Sequence, residues 1–267
     1  MMPVSRHSCP PADLTTSPAD GAHNVIRAAW FSIVTVAATA YYSALSILGG
    51  LRGVPPEFHD GVHRGWARVL LRASGVTVRA DGLENIEAGD AAILVSNHQS
   101  NFDIFSLFQA LPVSIRFVAK SELAQIPILA QAMRAAGHVF IDRTNRRGSA
   151  GAMRLAGERL RAERLCLGLF PEGTRSRDGQ LGRFKKGSFV LAIETQLPIV
   201  PIAVDGGWRL SGGGRIRPGE VRIRVGKPIP TAGKTAEDRD AVLAEVRAAV
   251  EELLASLRAE LVETTPI

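Results

Sequence analysis

The 267-residue chain is 46% apolar and 22% charged, ordinary values for a globular protein with room for one sizeable α/β domain and an appendage. Its net charge of +6 fits an anionic partner such as an acidic membrane surface or a phosphorylated substrate, while 6% aromatics and no reader motif argue against nucleic acid. Of its two cysteines, Cys9 lies in a polar head and Cys166 in an apolar run, which gives no basis for a structural disulfide and fits a reducing compartment.

Residues 1–24 carry four prolines and no periodicity, and read as a disordered leader. Residues 28–51 hold no charge. As a helix they would span roughly 36 Å, enough for a hydrocarbon core of about 30 Å. The run is long and starts late for a signal peptide; a buried core helix is the other reading. Gly49, Gly50 and several Ser/Thr leave open a helix that dips into one leaflet without crossing. Next, Val62, Trp66, Val69 and Leu70 recur at helical spacing between Arg64, Arg68 and Arg72, predicting a basic amphipathic helix in the headgroup layer. Residues 25–74 thus read as a membrane-anchoring segment. The excess of arginine after the apolar run places the following domain, 75–267, on the cytoplasmic side.

From residue 75 short apolar runs alternate with amphipathic stretches. Strands are predicted at 76–79, 91–96, 115–119, 138–141, 165–170, 199–204 and 220–225. Helices are predicted at 102–111, 126–136, 148–163, 186–195 and 236–261. This alternation argues for an α/β fold: a mostly parallel central sheet with helices on both faces, preceded by the membrane-anchoring helical segment. Ligands of such sheets bind at the carboxyl ends of strands.

Two strand tips carry chemistry. After the apolar run 91–95 comes Ser96-Asn97-His98-Gln99-Ser100-Asn101-Phe102-Asp103. On one continuous helix His98 and Asp103 would point apart; across a strand–turn–helix junction the carboxylate reaches back to the imidazole. That pair is a base and the acid that fixes its tautomer. No serine or cysteine nucleophile accompanies it, so the attacking hydroxyl is expected on the substrate. The second tip is Phe170-Pro171-Glu172-Gly173-Thr174-Arg175-Ser176. There Gly173 permits an unusual backbone angle and Arg175 offers a planar fork for phosphate oxygens. A surface ion pair between Glu172 and Arg175 is the alternative. Arg143 and Lys120 also end strands.

Asn97-His98 with Asp103, Phe140-Ile141-Asp142-Arg143, the 170–176 segment and Val200-Pro201-Ile202-Ala203-Val204 resemble, in order, the four blocks of the glycerolipid acyltransferases, specifically the 1-acylglycerol-3-phosphate O-acyltransferases. The resemblance covers roughly residues 60–230. It implies acyl transfer from acyl-CoA or acyl-carrier protein to the sn-2 hydroxyl of a membrane lysophospholipid, giving phosphatidic acid. It implies no metal and no cofactor beyond the thioester co-substrate. By the same resemblance His98 is the base, Asp103 its partner, and Arg143, Glu172, Gly173, Thr174 and Arg175 form the acceptor-phosphate region, assisted by Lys120. Glu172 has the wrong sign to touch phosphate and is expected to orient Arg175 or bind a glycerol hydroxyl. Another lysophospholipid or a lyso-aminolipid is the rival acceptor, and a phosphoester hydrolase the distant alternative.

His59 and His63 have the spacing of a zinc helix, but Asp60 stands where that motif needs Glu and Gly61 weakens the helix. Gly233-Lys234-Thr235 mimics a phosphate loop without its upstream glycine. Both are set aside.

Overall fold

The computed structural model describes residues 18–87, 89–141, 157–212 and 215–263. The apolar runs become a seven-stranded sheet in the order β1 (Val76–Asp81), β9 (Gly219–Val225), β6 (Ile199–Asp205), β2 (Ile93–Ser96), β5 (Cys166–Leu169), β3 (Ile115–Lys120), β4 (Val139–Ile141). Every neighbouring pair is parallel except β6 and β9, so β1 and β9 run against the other five. The central strands β2, β5 and β6 are buried at every position, which is why they read as unbroken apolar runs.

Successive residues of a strand feed two cores. Leu94, Ile202 and Val204 join α2 (Pro56–Ser74) and α3 (Phe102–Ala110) on one side. Ile93, Val95 and Ile199 join α5 (Gly187–Thr195) and the C-terminal helix α7 (Arg239–Glu263) on the other. The last of these presents Val242, Val246, Val250, Leu254 and Leu257 as one buried stripe. It starts after a capping box at Thr235 and Asp238. Of the helix expected at 148–163, residues 157–162 are helical and 148–156 lie outside the described residues. Short elements complete the fold: α4 (Pro127–Ala135), α6 (Gly207–Leu210), and a hairpin of β7 (Ser211–Gly212) and β8 (Arg215–Ile216).

Three N-terminal expectations change. Helix α1 runs Pro18–Leu51, so residues 18–24, assigned to a disordered leader, form its first turns. Proline costs little in a first helical turn, and the apolar sequence behind it propagates the helix. Helix α2 is not laid on the outside of the molecule. It is clamped between α1 and α3, burying His59, Asp60, Val62, His63, Ala67, Leu70 and Leu71. Its Arg64 donates to Leu111 O at 3.2 Å, across the end of α3. Nor are α1 and α2 a separate unit, because Ala38, Ala67, Leu70 and Leu71 share one core with strands of the sheet. The glycine pair has a packing role as well: a Cβ on Gly50 would come within 2.7 Å of Ala135 Cβ on α4.

Buried polar groups fix the base of this assembly. Arg116 Nη1 on β3 meets Asp60 Oδ1 on α2 at 2.6 Å, Ser114 Oγ donates to the same carboxylate, and Arg116 Nη2 donates to Pro56 O at 3.1 Å. These bonds settle the zinc-like spacing on α2: Asp60 pairs with Arg116, His59 Nδ1 with Ser46 Oγ, and His63 with His138.

Candidate active site

Strand β2 ends at Ser96, and the next side chain continues its pairing. Asn97 Nδ2 donates to Val204 O and Asn97 Oδ1 accepts from Val204 N, both at 2.8 Å, imitating one more residue of the β2–β6 ladder. His98 follows at a fixed height above the sheet. The chain then turns into α3, whose first turn carries Asp103, fully buried. One oxygen, Asp103 Oδ2, accepts three N–H groups: His98 Nδ1 at 2.8 Å, Gln99 N at 2.6 Å and Ser100 N at 2.8 Å. The imidazole and carboxylate therefore meet across the junction. Because Nδ1 carries the proton given to Asp103, Nε2 is bare and able to accept one.

The second strand tip wraps the first. Glu172 is 5% exposed and spends both oxygens on backbone: Oε1 accepts from His98 N and Oε2 from Gly182 N, each at 2.8 Å. This corrects its assignment to substrate. Glu172 neither orients Arg175 nor faces an acceptor; it braces the residue that carries the base. Burial pushes its carboxyl pKa up while the two N–H donors pull it back. From the other side Ser176 N donates to His98 O at 2.8 Å. Gly173, at φ +70°, makes the turn by returning its N–H to Phe170 O at 3.0 Å. Phe170 underlies the imidazole, stacked at 4.0 Å and 15°.

Arg175 extends beside His98, with Nη1 donating to Asn101 Oδ1 at 2.9 Å. The alternative, a surface ion pair between Glu172 and Arg175, does not form. Lys120 closes β3 at the carboxyl edge of the sheet, and Arg143 lies outside the described residues. Thr174, Gly173 and Arg175 share with His98 and Asn101 the wall of one cavity of about 610 Å³. The cavity continues between α1, α2, α3 and α4 along Phe105, Phe108, Phe117 and Phe170. Two features missing from the sequence reading matter most here, Phe170 under the base and Asn101 on the arginine. Asn97 had a signal, a buried amide next to a strand end.

At the cavity's α2 wall stand His63 and His138, Nε2 to Nε2 at 3.1 Å. Phe117 N donates to His138 Nδ1 at 2.9 Å, so that nitrogen is bare and His138 carries its proton on Nε2. It donates to His63 Nε2, and His63 must then carry its own proton on Nδ1. Both rings are neutral: burial, then the neighbouring cations and imidazoles, drives the His138 pKa down to about 3 and that of His63 well below the usual value.

Comparison with known proteins agrees with this geometry. The model of the family described as Acyltransferase matches residues 77–205. An uncharacterized acyltransferase of Schizosaccharomyces pombe is 37% identical over 228 residues, covering 82% of this chain and 80% of the yeast protein. A chloroplast 1-acyl-sn-glycerol-3-phosphate acyltransferase of Arabidopsis thaliana is 32% identical over 213 residues, 76% of this chain. The chain spans 51–59% of the length of the first plant relatives it matches. The crystal structure of the 1-acyl-sn-glycerophosphate acyltransferase from Thermotoga maritima superposes with a TM-score of 0.75 at 26% identity, covering 90% of this chain and 98% of that one. The match to the yeast acyltransferase over four fifths of both chains, together with the histidine–aspartate pair at the strand tip, places this chain in the acyltransferase family.

Proposed function

We propose that this chain transfers an acyl group from a thioester, acyl-CoA or acyl-carrier protein, to the sn-2 hydroxyl of 1-acylglycerol-3-phosphate, giving phosphatidic acid. The observation that carries this reading is the His98–Asp103 pair on the wall of an apolar cavity whose mouth also holds Arg175. His98 Nε2 takes the hydroxyl proton as the acceptor oxygen attacks the thioester carbonyl. The carbon–sulfur bond then breaks, and the imidazolium returns the proton to the departing thiolate. Asp103 holds the ring in the reactive tautomer and stabilises its charged form. General-base help of this kind typically contributes about 100- to 10,000-fold. Arg175, with Lys120 and Arg143 in supporting roles, binds the phosphomonoester and places the hydroxyl at Nε2. The aromatic interior takes an acyl chain. The relatives and the solved structure that bear this activity in their names support the choice of acceptor.

The apolar N-terminal helix attaches the enzyme to a membrane, with the catalytic domain on the cytoplasmic side. Residues 24–51 are long and apolar enough to cross a bilayer. Yet α1 packs against the domain at Phe31, Thr39, Ser46 and Gly50, which favours immersion in one leaflet.

The test is purified protein incubated with labelled acyl-CoA and a panel of lysolipids, read by mass. Lysophosphatidate is expected to be the preferred acceptor, and His98→Ala to lower turnover at least 100-fold while the fold and membrane binding persist. A lysolipid with another headgroup leading the panel would replace the acceptor, and phosphate release without a donor would replace the reaction class.

A further inference from the structure

The turn of residues 98–103 rests on one short segment, the end of β6 and the residues that follow it. Gln99, 4% exposed, donates through Nε2 to Asp205 Oδ1 at 3.0 Å. The hydroxyls of Ser100 and Ser211 share a hydrogen bond of 2.6 Å. At Gly207 a Cβ would come within 2.8 Å of Asp103 Oδ1 and 3.0 Å of Ser100 Cβ, so bare backbone abuts the carboxylate. Asp205 anchors this contact. It is 1% exposed, and a carboxylate buried so deeply is costly unless cations and hydrogen bonds meet it. Arg209 Nη2 donates to its Oδ2 at 2.9 Å, and Arg258 Nη2, from near the end of α7, donates to its Oδ1 at 3.2 Å. The same Arg258 nitrogen donates to Gly179 O at 2.5 Å, and Gln99 Nε2 reaches that oxygen at 3.4 Å. Gln99 and Arg258 therefore stand side by side, sharing two acceptors.

We propose that Gln99 is a positioning residue for the acyl-transfer step, and that Asp205, gripped by Arg209 and Arg258, fixes it. The inference rests on the acyl-transfer reading above. The side chain of Gln99 is bonded to a charged partner, the stronger kind of hydrogen bond. Its backbone N–H donates to Asp103 Oδ2 at 2.6 Å, the oxygen that also holds His98 Nδ1. One residue thus joins the buried Asp205 to the carboxylate that orients the base. Gln99 is not part of the cavity wall, so its effect reaches the reaction through His98 and Asp103 and not through a substrate. Through Arg258 the C-terminal helix takes part in setting the base.

The experiment is steady-state kinetics with acyl-CoA and lysophosphatidate on the full chain. Gln99→Met, close in size but without a donor, is expected to lower kcat about tenfold, the effect of one hydrogen bond to a charged group, with both KM values unchanged and the far-UV dichroism of the wild type retained. Gln99→Glu sets a carboxylate against Asp205 and is expected to lose more, about a hundredfold. Adding Asp205→Asn to Gln99→Glu exchanges amide and carboxylate across the contact, and is expected to restore kcat about fivefold or more over Gln99→Glu alone. Full kcat in Gln99→Met, a raised KM in place of the lowered kcat, or a double variant no better than Gln99→Glu overturns the positioning role. A wild-type protein that transfers from no thioester to any lysolipid overturns the acyl-transfer reading instead.

Discussion

Every part of His98 that does not face the cavity is tied down. Its Nδ1 is held by Asp103, its backbone N by Glu172, its backbone O by Ser176 N, and its ring by Phe170. Bringing two substrates to one nitrogen rewards such fixity, because a misplaced base loses the advantage of orientation. Glu172 and Arg175, neighbours in one turn, therefore have separable effects. Glu172→Gln puts an amide donor against one of two backbone N–H groups, and kcat is expected to fall about 10- to 100-fold with the acceptor KM unchanged. Arg175→Ala is expected to raise the acceptor KM and leave the donor KM alone. Steady-state kinetics on both substrates checks the pair, and a shift in acceptor KM for Glu172→Gln would return that residue to the substrate. The spacing of His98 and Asp103 sufficed to pair them from sequence, since a strand–turn–helix junction has few geometries. The destination of Glu172 was hidden. A carboxylate in a turn announces its charge but not which of many backbone donors it will meet.

At the scale of elements, the strands were readable because burial on both faces leaves unbroken apolar runs such as 91–95. The placement of α2 was not. A stripe of Val62, Trp66 and Leu70 between arginines suits a bilayer surface and a helix–helix interface equally, and only the aromatic surface of α3 decides for the interface. The same packing hides His63 and His138, 75 residues apart in sequence, inside one wall. Their depressed pKa values couple stability to pH. An unfolded histidine titrates near 6.5, whereas the folded His138 resists protonation down to about 3. The stabilisation from keeping His138 neutral is complete above pH 6.5 and is lost as pH falls from there toward 3, because the unfolded chain takes up a proton the folded one refuses, and His63, also held well below the usual value, acts in the same direction. Inside that window His138 costs on the order of 1 kcal/mol per pH unit. Denaturant titrations between pH 7 and pH 5 are expected to show the loss, and His63→Phe to reduce its slope. An unchanged slope in that variant would mean that other groups govern acid stability.

The molecule as a whole is polarised by one helix. The outward side of α1 exposes Val25, Ile26, Trp30, Ile33, Val36, Tyr41, Leu48 and Leu51, and Leu123, Ile126 and Ile128 are exposed around the start of its neighbour α4. Isolated exposed apolar residues need no explanation, but a row this long on a helix of 34 residues marks a surface that meets something apolar. A lipid leaflet suits it, and the hydroxyls of the same helix line the cavity on its inner side. For the proposed reaction, attachment there would let an acceptor with one acyl tail and a product with two exchange without exposing their chains to water. Attachment through this face predicts that Ile33→Glu with Val36→Glu, two changes on the outward side alone, lowers vesicle binding by roughly a hundredfold, from the loss of two buried side chains. Flotation with phospholipid vesicles measures that directly. Transfer between acyl-CoA and a short-chain lysophosphatidate that is soluble as a monomer is expected to persist in the same variant, since neither residue touches the cavity. Retained flotation would place the membrane contact elsewhere on the surface, and loss of transfer to the soluble acceptor would mean that α1 shapes the site as well as anchoring it.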